Sequence, residues 1–258
     1  MIDFQASPHD PHIRYRLDGA VFILQIHRPE KKNAITHTMY KALAESLKEA
    51  DVTPAVKVIM LCGSADCFTS GNDINDFVSH AEHAPERAPV PFMKTIAQLR
   101  KPLVAVVNGL AIGIGTTLLL HCDLVYAAED AWLQLPFTRL GLCPEAGSSL
   151  LAPLLMGHQR AAELLLLGER FSAEKAREFG LVSEVLPAEK LLAYALQKAQ
   201  ALAALPGPAV ETTKHLLKRQ HSAALDETMA LELVNFSRLL HSEEAQDILQ
   251  AFLAHSRT

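Results

Sequence analysis

The chain has 258 residues, 49% apolar, 21% charged and 6% aromatic, which excludes a polar disordered coil. With four cysteines it is also no disulfide-stapled miniprotein, and a chain this long can close a core without metal or cross-link. The net charge of −5 argues against nucleic acid as a partner, because phosphate neutralisation needs a basic face, while a small anion needs only a few local cations.

Met1-Ile2-Asp3-Phe4-Gln5 lacks the basic start and apolar core of a secretory leader, and no run of 18 apolar residues offers a membrane span. Cys62, Cys67, Cys122 and Cys143 form no C-x-x-C pair, and the C-terminal Ser256-Arg257-Thr258 is not the peroxisomal S-K-L signal. Together these features predict a cytoplasmic protein with reduced cysteines and no membrane partner.

Alternating Ile13, Tyr15 and Leu17, the turn dipeptide Asp18-Gly19 and the apolar run 21–24 predict a hairpin. From Thr36 the stripe Met39, Leu43 and Leu47 predicts a helix. Apolar runs at 56–61, 103–107 and 124–127 predict buried strands, with helices near 92–99 and 116–121 between them. Strands alternating with helices imply right-handed crossovers and a largely parallel sheet. Three prolines and two histidines make 80–91 a predicted loop. After about Ala146 the chain turns Leu/Ala-rich and predicts helices at 148–156, 160–167, 173–179, 188–202, 209–220, 225–240 and 243–255. Gly180 reads as a C-cap, and Pro206-Gly207-Pro208 reads as a stop. The expected organisation is a spiral α/β core over 1–200 and a helical region over 201–258.

Two glycine-centred turns lead from strand ends into helix starts: residues 68–74 (Phe-Thr-Ser-Gly-Asn-Asp-Ile) and 108–115 (Asn-Gly-Leu-Ala-Ile-Gly-Ile-Gly). Free N–H groups collect at such places, so the amides of Asn72 and Ile114 are candidates for an oxyanion hole. The plain alternative is that the glycines only permit tight turns. A dinucleotide fingerprint at Gly113-Ile114-Gly115 fails because Leu118 occupies the third glycine position. Glu145 is the only charged residue between Arg139 and Arg160 and lies at a turn into a helix. It is either a helix N-terminal charge or a functional carboxylate whose burial would raise its pKa toward that of a general base. His80-Ala81-Glu82-His83 lacks a third metal ligand, His121 reads as a core histidine, Ser70 lacks a nucleophile elbow, and 28–32 reads as a solvated turn.

The segments 26–34 (Ile-His-Arg-Pro-Glu-Lys-Lys-Asn-Ala), 68–74, 107–123 and 140–147 together resemble the crotonase, or enoyl-CoA hydratase/isomerase, superfamily. The resemblance implies a ClpP-like spiral of ββα units with a helical C-terminal subregion used for trimerisation. It also implies homotrimers or dimers of trimers, an acyl-CoA substrate and no metal or separate cofactor. It places Ser70, Gly71, Asn72, Asp73, Ile74 and Gly113 against the CoA ester, with Lys31 and Lys32 near its phosphates. Hydratases of this superfamily use two glutamates, whose positions here hold Thr117 and Phe137. Glu145 stands where the Δ3,Δ2-enoyl-CoA isomerases of peroxisomal type carry their acid. The implied reaction is a double-bond shift in fatty-acid β-oxidation, with Glu145 moving a proton from C2 to C4 of a 3-enoyl-CoA. A dienoyl-CoA isomerase, a thioester hydrolase, a weak hydratase, a dehalogenase-like enzyme with a nucleophilic carboxylate and a non-catalytic CoA-ester binder remain alternatives. Leu231, Leu233, Val234, Phe236, Leu239 and Leu240 are expected to meet the core or a neighbouring subunit.

Overall fold

The computed structural model describes residues 4–64, 66–79 and 89–255. A short strand β1 (Gln5–Ala6) precedes the hairpin of β2 (Ile13–Asp18) and β3 (Val21–Ile26), which turns at Gly19 as the alternation predicted. Thr36 then caps α1 (His37–Val52), its hydroxyl accepting from the Met39 N–H, and Met39, Leu43 and Leu47 face the core. The chain returns through β4 (Val58–Cys62), which starts two residues later than its apolar run suggested. The short α2 (Ile74–Ser79) and α3 (Pro89–Gln98) follow.

Part of the predicted 80–91 loop is therefore helical. Pro89 and Pro91 sit in the first turn of α3, where a missing N–H leaves no hydrogen bond unmade. Residues 80–88, with His80-Ala81-Glu82-His83, lie outside the described residues.

Next come β5 (Leu103–Val107), β6 (Leu110–Ile112) and α4 (Ile114–Thr117). The helix expected at 116–121 is in fact α4 followed by a 3-10 turn over Leu118–His121. Then β7 (Leu124–Ala128), β8 (Trp132–Gln134), α5 (Ser148–Met156), α6 (His158–Leu167), β9 (Arg170–Ser172), α7 (Ala173–Glu178) and β10 (Glu184–Leu186) complete the core. Four helices close the chain: α8 (Ala188–Ala203), α9 (Gly207–Lys218), α10 (Ser222–Leu240) and α11 (Glu243–His255).

The main sheet has the order β1-β2-β3-β4-β5-β7-β10 and is parallel from β3 onward. Every residue of β4 and β5 is buried, as parallel strands covered on both faces require. A second sheet, β6-β8-β9, diverges from it. Helix α8 lays the small residues Ala195 and Ala199 against the main sheet, and the expected boundary at 200 falls inside it. Helix α10 packs on α5 with Met229, Phe236 and Leu240 buried. Leu231 and Val234 on its other side stay 65% and 67% exposed. No helix among the described residues is long and apolar enough to cross a membrane.

Candidate active site

The two glycine turns lie side by side because the chain pairs them. Thr69 bridges Ala111 in parallel: its N–H donates to the Leu110 carbonyl at 3.0 Å, and its own carbonyl accepts from Ile112 at 3.1 Å. Asn72 and Ile114 each stand three residues beyond that bridge, so both turns release an amide at the same level. Gly113 has φ 55° and ψ −119°, a conformation only glycine adopts readily, although an added Cβ would meet open space. The peptide it turns is the one that carries the Ile114 N–H. Among the described residues, no acceptor takes the N–H of Asn72 or of Ile114. On the far side of Asn72, its backbone neighbours are tied to Ile35, and its side-chain carbonyl accepts from the buried Tyr40 hydroxyl at 2.5 Å.

Glu145 comes to this place through α4. One turn after Ile114, the buried Thr117 hydroxyl donates to Glu145 Oε1 at 2.6 Å. Glu145 is only 9% exposed. Burial pushes its carboxyl up to about 8; the Thr117 hydrogen bond opposes the rise, and the charge of Glu232 adds to it. Tyr40 is likewise raised well above the usual phenol value, by burial first and then by Glu145.

Asn72 and Glu145 share the wall of a cavity of about 320 Å³, lined on its apolar side by Val90 and Met93 of α3 and by Met229, Leu233 and Phe236 of α10. Two further carboxylates reach it: Glu232, buried, and Asp226, exposed at its edge. A buried carboxyl beside unengaged amide donors and an apolar space is an arrangement for moving a proton next to a polarised carbonyl.

The other candidate residues form a corner beside the cavity. Ser70 N–H donates to the Lys32 carbonyl at 3.0 Å, and Arg28 pairs with Asp73 at 2.7 Å, so segments 28–34 and 70–74 are fastened together. Burial works to raise the Asp73 carboxyl, but hydrogen bonds from Arg28 and the Asp76 N–H outweigh it and hold it below its usual value. Ile74 opens α2, while Gly71, at φ 89°, fits close under the Ile112 carbonyl. The Lys31 and Lys32 side chains are exposed. Phe137 is packed in the core, and His121 is buried with Nε2 on the Ala146 carbonyl at 2.7 Å. Among the described residues, no three His, Cys, Asp or Glu side chains gather to hold a metal.

Three functional features escaped the sequence reading. Thr117 was read only as a missing carboxylate, and nothing in the sequence told that its hydroxyl would meet Glu145. Tyr40 lies on the predicted helix beside Met39 and carries no motif that marks it. Glu232 did leave a signal, since it interrupts the stripe Met229, Phe236, Leu240 with an acid.

The family model for enoyl-CoA hydratase/isomerase matches residues 16–257. The chain belongs to the enoyl-CoA hydratase/isomerase family. Rat enoyl-CoA delta isomerase 2 is 35% identical over 242 residues, which cover 92% of this chain and 62% of the rat protein, so the chain spans less than two thirds of that relative. The 2,3-dehydroadipyl-CoA hydratase of Escherichia coli is 33% identical over 90% of this chain and 92% of its own. A crystal structure of an enoyl-CoA hydratase/isomerase from Pseudoalteromonas atlantica superposes with a TM-score of 0.90 at 36% identity, covering 95% of this chain and 97% of that one. The fold is thus the crotonase spiral that the motifs implied, and the family's relatives include both isomerases and hydratases.

Proposed function

We propose that this protein is a Δ3,Δ2-enoyl-CoA isomerase that works with a single carboxylate. The observation that carries the reading is the buried Glu145 carboxyl, held by Thr117 on the wall of the apolar cavity that also contains Asn72. In this reading the thioester oxygen accepts from the N–H groups of Asn72 and Ile114. The Glu145 carboxylate takes a proton from C2 of the 3-enoyl ester. The electron pair of that C–H bond becomes a C1–C2 double bond while the carbonyl pair moves onto the thioester oxygen. When the carbonyl re-forms, the C1–C2 pair shifts to C2–C3 and the C3–C4 pair captures the same proton at C4. The dienolate between the two transfers is the species the amides stabilise. No proton is gained or lost overall, and no water takes part.

Hydration would need a second carboxyl to position water. Thr117 and Phe137 occupy the positions where hydratases of the superfamily carry their glutamates. Glu232 is a poor substitute, because its oxygens already accept from the Gly147 N–H, the Ser149 N–H and the Ser149 hydroxyl. The corner formed by residues 28–34 and 70–74 is assigned to the CoA moiety, with Lys31 and Lys32 free to meet its phosphates. The exposed Leu231 and Val234 of α10 are assigned to subunit contacts in a homotrimer or a pair of trimers.

The test is turnover of 3-enoyl-CoA by the wild-type protein and by Glu145→Gln. Isomerisation is expected to fall about 10²–10⁴-fold in the variant with folding unchanged. Hydration of 2-enoyl-CoA is expected to be slow in both. Near-normal turnover by Glu145→Gln overturns the reading.

A further inference from the structure

Glu145 sits at the head of an unusual turn. The next two residues, Ala146 at φ 58° and Gly147 at φ 73°, are both left-handed. Gly147 takes that conformation freely, but Ala146 is held there against the preference of its Cβ. The Ser148 N–H and hydroxyl close the turn from within, donating to the Glu145 carbonyl at 3.1 and 2.6 Å, and contacts from outside the turn add to them.

Two side chains from other elements do so. His121, at the end of the 3-10 turn after α4, presents Nε2 to the Ala146 carbonyl at 2.7 Å. A carbonyl only accepts, so Nε2 carries the proton. Burial drives His121 down to about 4, which leaves it neutral with that single ring proton. From the opposite side, Glu232 of α10 accepts the Gly147 N–H at 2.6 Å through Oε2. Its Oε1 accepts the Ser149 N–H at 2.9 Å and the Ser149 hydroxyl at 2.6 Å. Leu225, also on α10, lies so close that a Cβ on Gly147 would come within 2.2 Å of it.

We propose that His121 and Glu232 are positioning residues for Glu145: they clamp the left-handed turn that sets its carboxyl on the cavity wall. The assignment rests on reading Glu145 as the proton carrier. It gives α10 a part in the chemistry beyond lining the acyl space.

The clamp also divides two buried carboxyls into different states. Glu232 accepts three hydrogen bonds at the start of α5, where the helix N-terminus favours negative charge. Glu145 accepts one, from Thr117. Burial raises the Glu232 carboxyl as well, but these three hydrogen bonds oppose the rise, so Glu232 takes the negative charge before Glu145 and its charge helps Glu145 to keep a proton. The other titratable groups facing Glu145 are Tyr40 of α1 and Cys143 of its own segment, both raised mainly by burial. Neutral His121 packs behind the turn, and the exposed Lys94 and Asp226 stand at the cavity edge.

The experiment compares Glu232→Gln, Glu232→Ala, His121→Gln and His121→Ala with wild type. One readout is the infrared titration of the Glu145 carboxyl, assigned by the band that Glu145→Gln removes. The others are kcat, KM and melting temperature. Glu232→Gln is expected to lower the Glu145 midpoint by about one pH unit or more. Glu232→Ala, which also releases the turn, is expected to lower kcat about 10²-fold with KM changed far less. His121→Ala is expected to lose about tenfold in kcat, and His121→Gln, which restores an N–H donor, to recover most of it.

An unmoved midpoint in Glu232→Gln together with unchanged kcat in every folded variant overturns the proposal. So does equal loss in the Gln and Ala variants of both residues, accompanied only by a lower melting temperature. If Glu232→Ala does not fold, the near-isosteric Glu232→Gln and the His121 pair decide. The infrared midpoint needs no substrate. An inactive wild type, or an active Glu145→Gln, therefore counts against the isomerase reading, while the midpoint still decides whether Glu232 governs Glu145.

Discussion

The turns that supply the amides and the turn that supplies the carboxyl are built by opposite means. Residues 69–72 and 111–114 are set by backbone pairing through the Thr69–Ala111 bridge, and glycine conformation aims the last peptide. The turn at 145–147 has no strand partner. Beyond the Ser148 N–H and hydroxyl that close it on the Glu145 carbonyl, it is held by side chains from three places: Thr117 on the carboxyl, His121 on the Ala146 carbonyl and Glu232 on the Gly147 N–H. A backbone ladder survives most side-chain changes, so the amides form a rigid part. A turn held by side chains is open to adjustment by single substitutions, and there the acid strength of the site is set.

The contrast breaks most sharply at Gly113. Gly113→Ala is expected to lower kcat about 10²–10³-fold, because the strained residue re-aims the Ile114 amide, while the Glu145 titration stays where it was. Steady-state kinetics combined with the infrared midpoint check both halves; a shifted midpoint with intact kcat would show that the two turns are not separate devices.

A smaller effect follows on the carboxyl side. In the proposed reaction the working form of Glu145 is the carboxylate, so activity is expected to rise with pH through about 8. Thr117→Val removes the hydrogen bond that holds this value down. Its activity limb is expected to move upward by about one unit, with plateau kcat changed only a few-fold. A limb that moves downward would mean that Thr117 donates to something other than the ionised carboxyl.

The smallest effect is on stability. In the folded protein Glu145 keeps its proton up to about 8, whereas the unfolded chain releases it near 4.5, the ordinary value for a glutamate. Between those values the folded state binds more protons, so each rise in pH takes stability away. The melting temperature of wild type is therefore expected to fall relative to Glu145→Gln as pH climbs from about 4.5 to 8, and to run parallel to it above 8. Parallel curves over the whole range would place Glu145 in a far wetter environment than its 9% exposure.

What the sequence made legible follows from the same division. The hairpin at Asp18-Gly19, the helix that starts from Thr36 and the fully apolar β4 and β5 were all readable, because local turn chemistry, periodicity and burial set them. Glycine spacing also marked both amide turns, since Gly113 stands where the backbone needs it. The short strands β6, β8, β9 and β10 were not readable: three residues each are too few for a periodic signal. Glu145 was visible as an isolated acid among apolar residues, but its supports were not. Thr117, His121 and Glu232 are 28, 24 and 87 positions away in the chain and meet it only through the packing of α4 and α10.

The cavity proposed for the acyl chain shows what that packing makes possible. Its apolar wall is borrowed from α3 and α10, whereas the amides come from the sheet side of the molecule. On that proposal, changing the volume of Met93, Met229 or Leu233 is expected to reshape the space for an acyl tail without moving a peptide of either amide turn. Methionine, unbranched and pliant, already lets such a wall accept more than one outline. A scaffold so divided is free to change the shape of its cavity one side chain at a time while the two amide turns stay as they are.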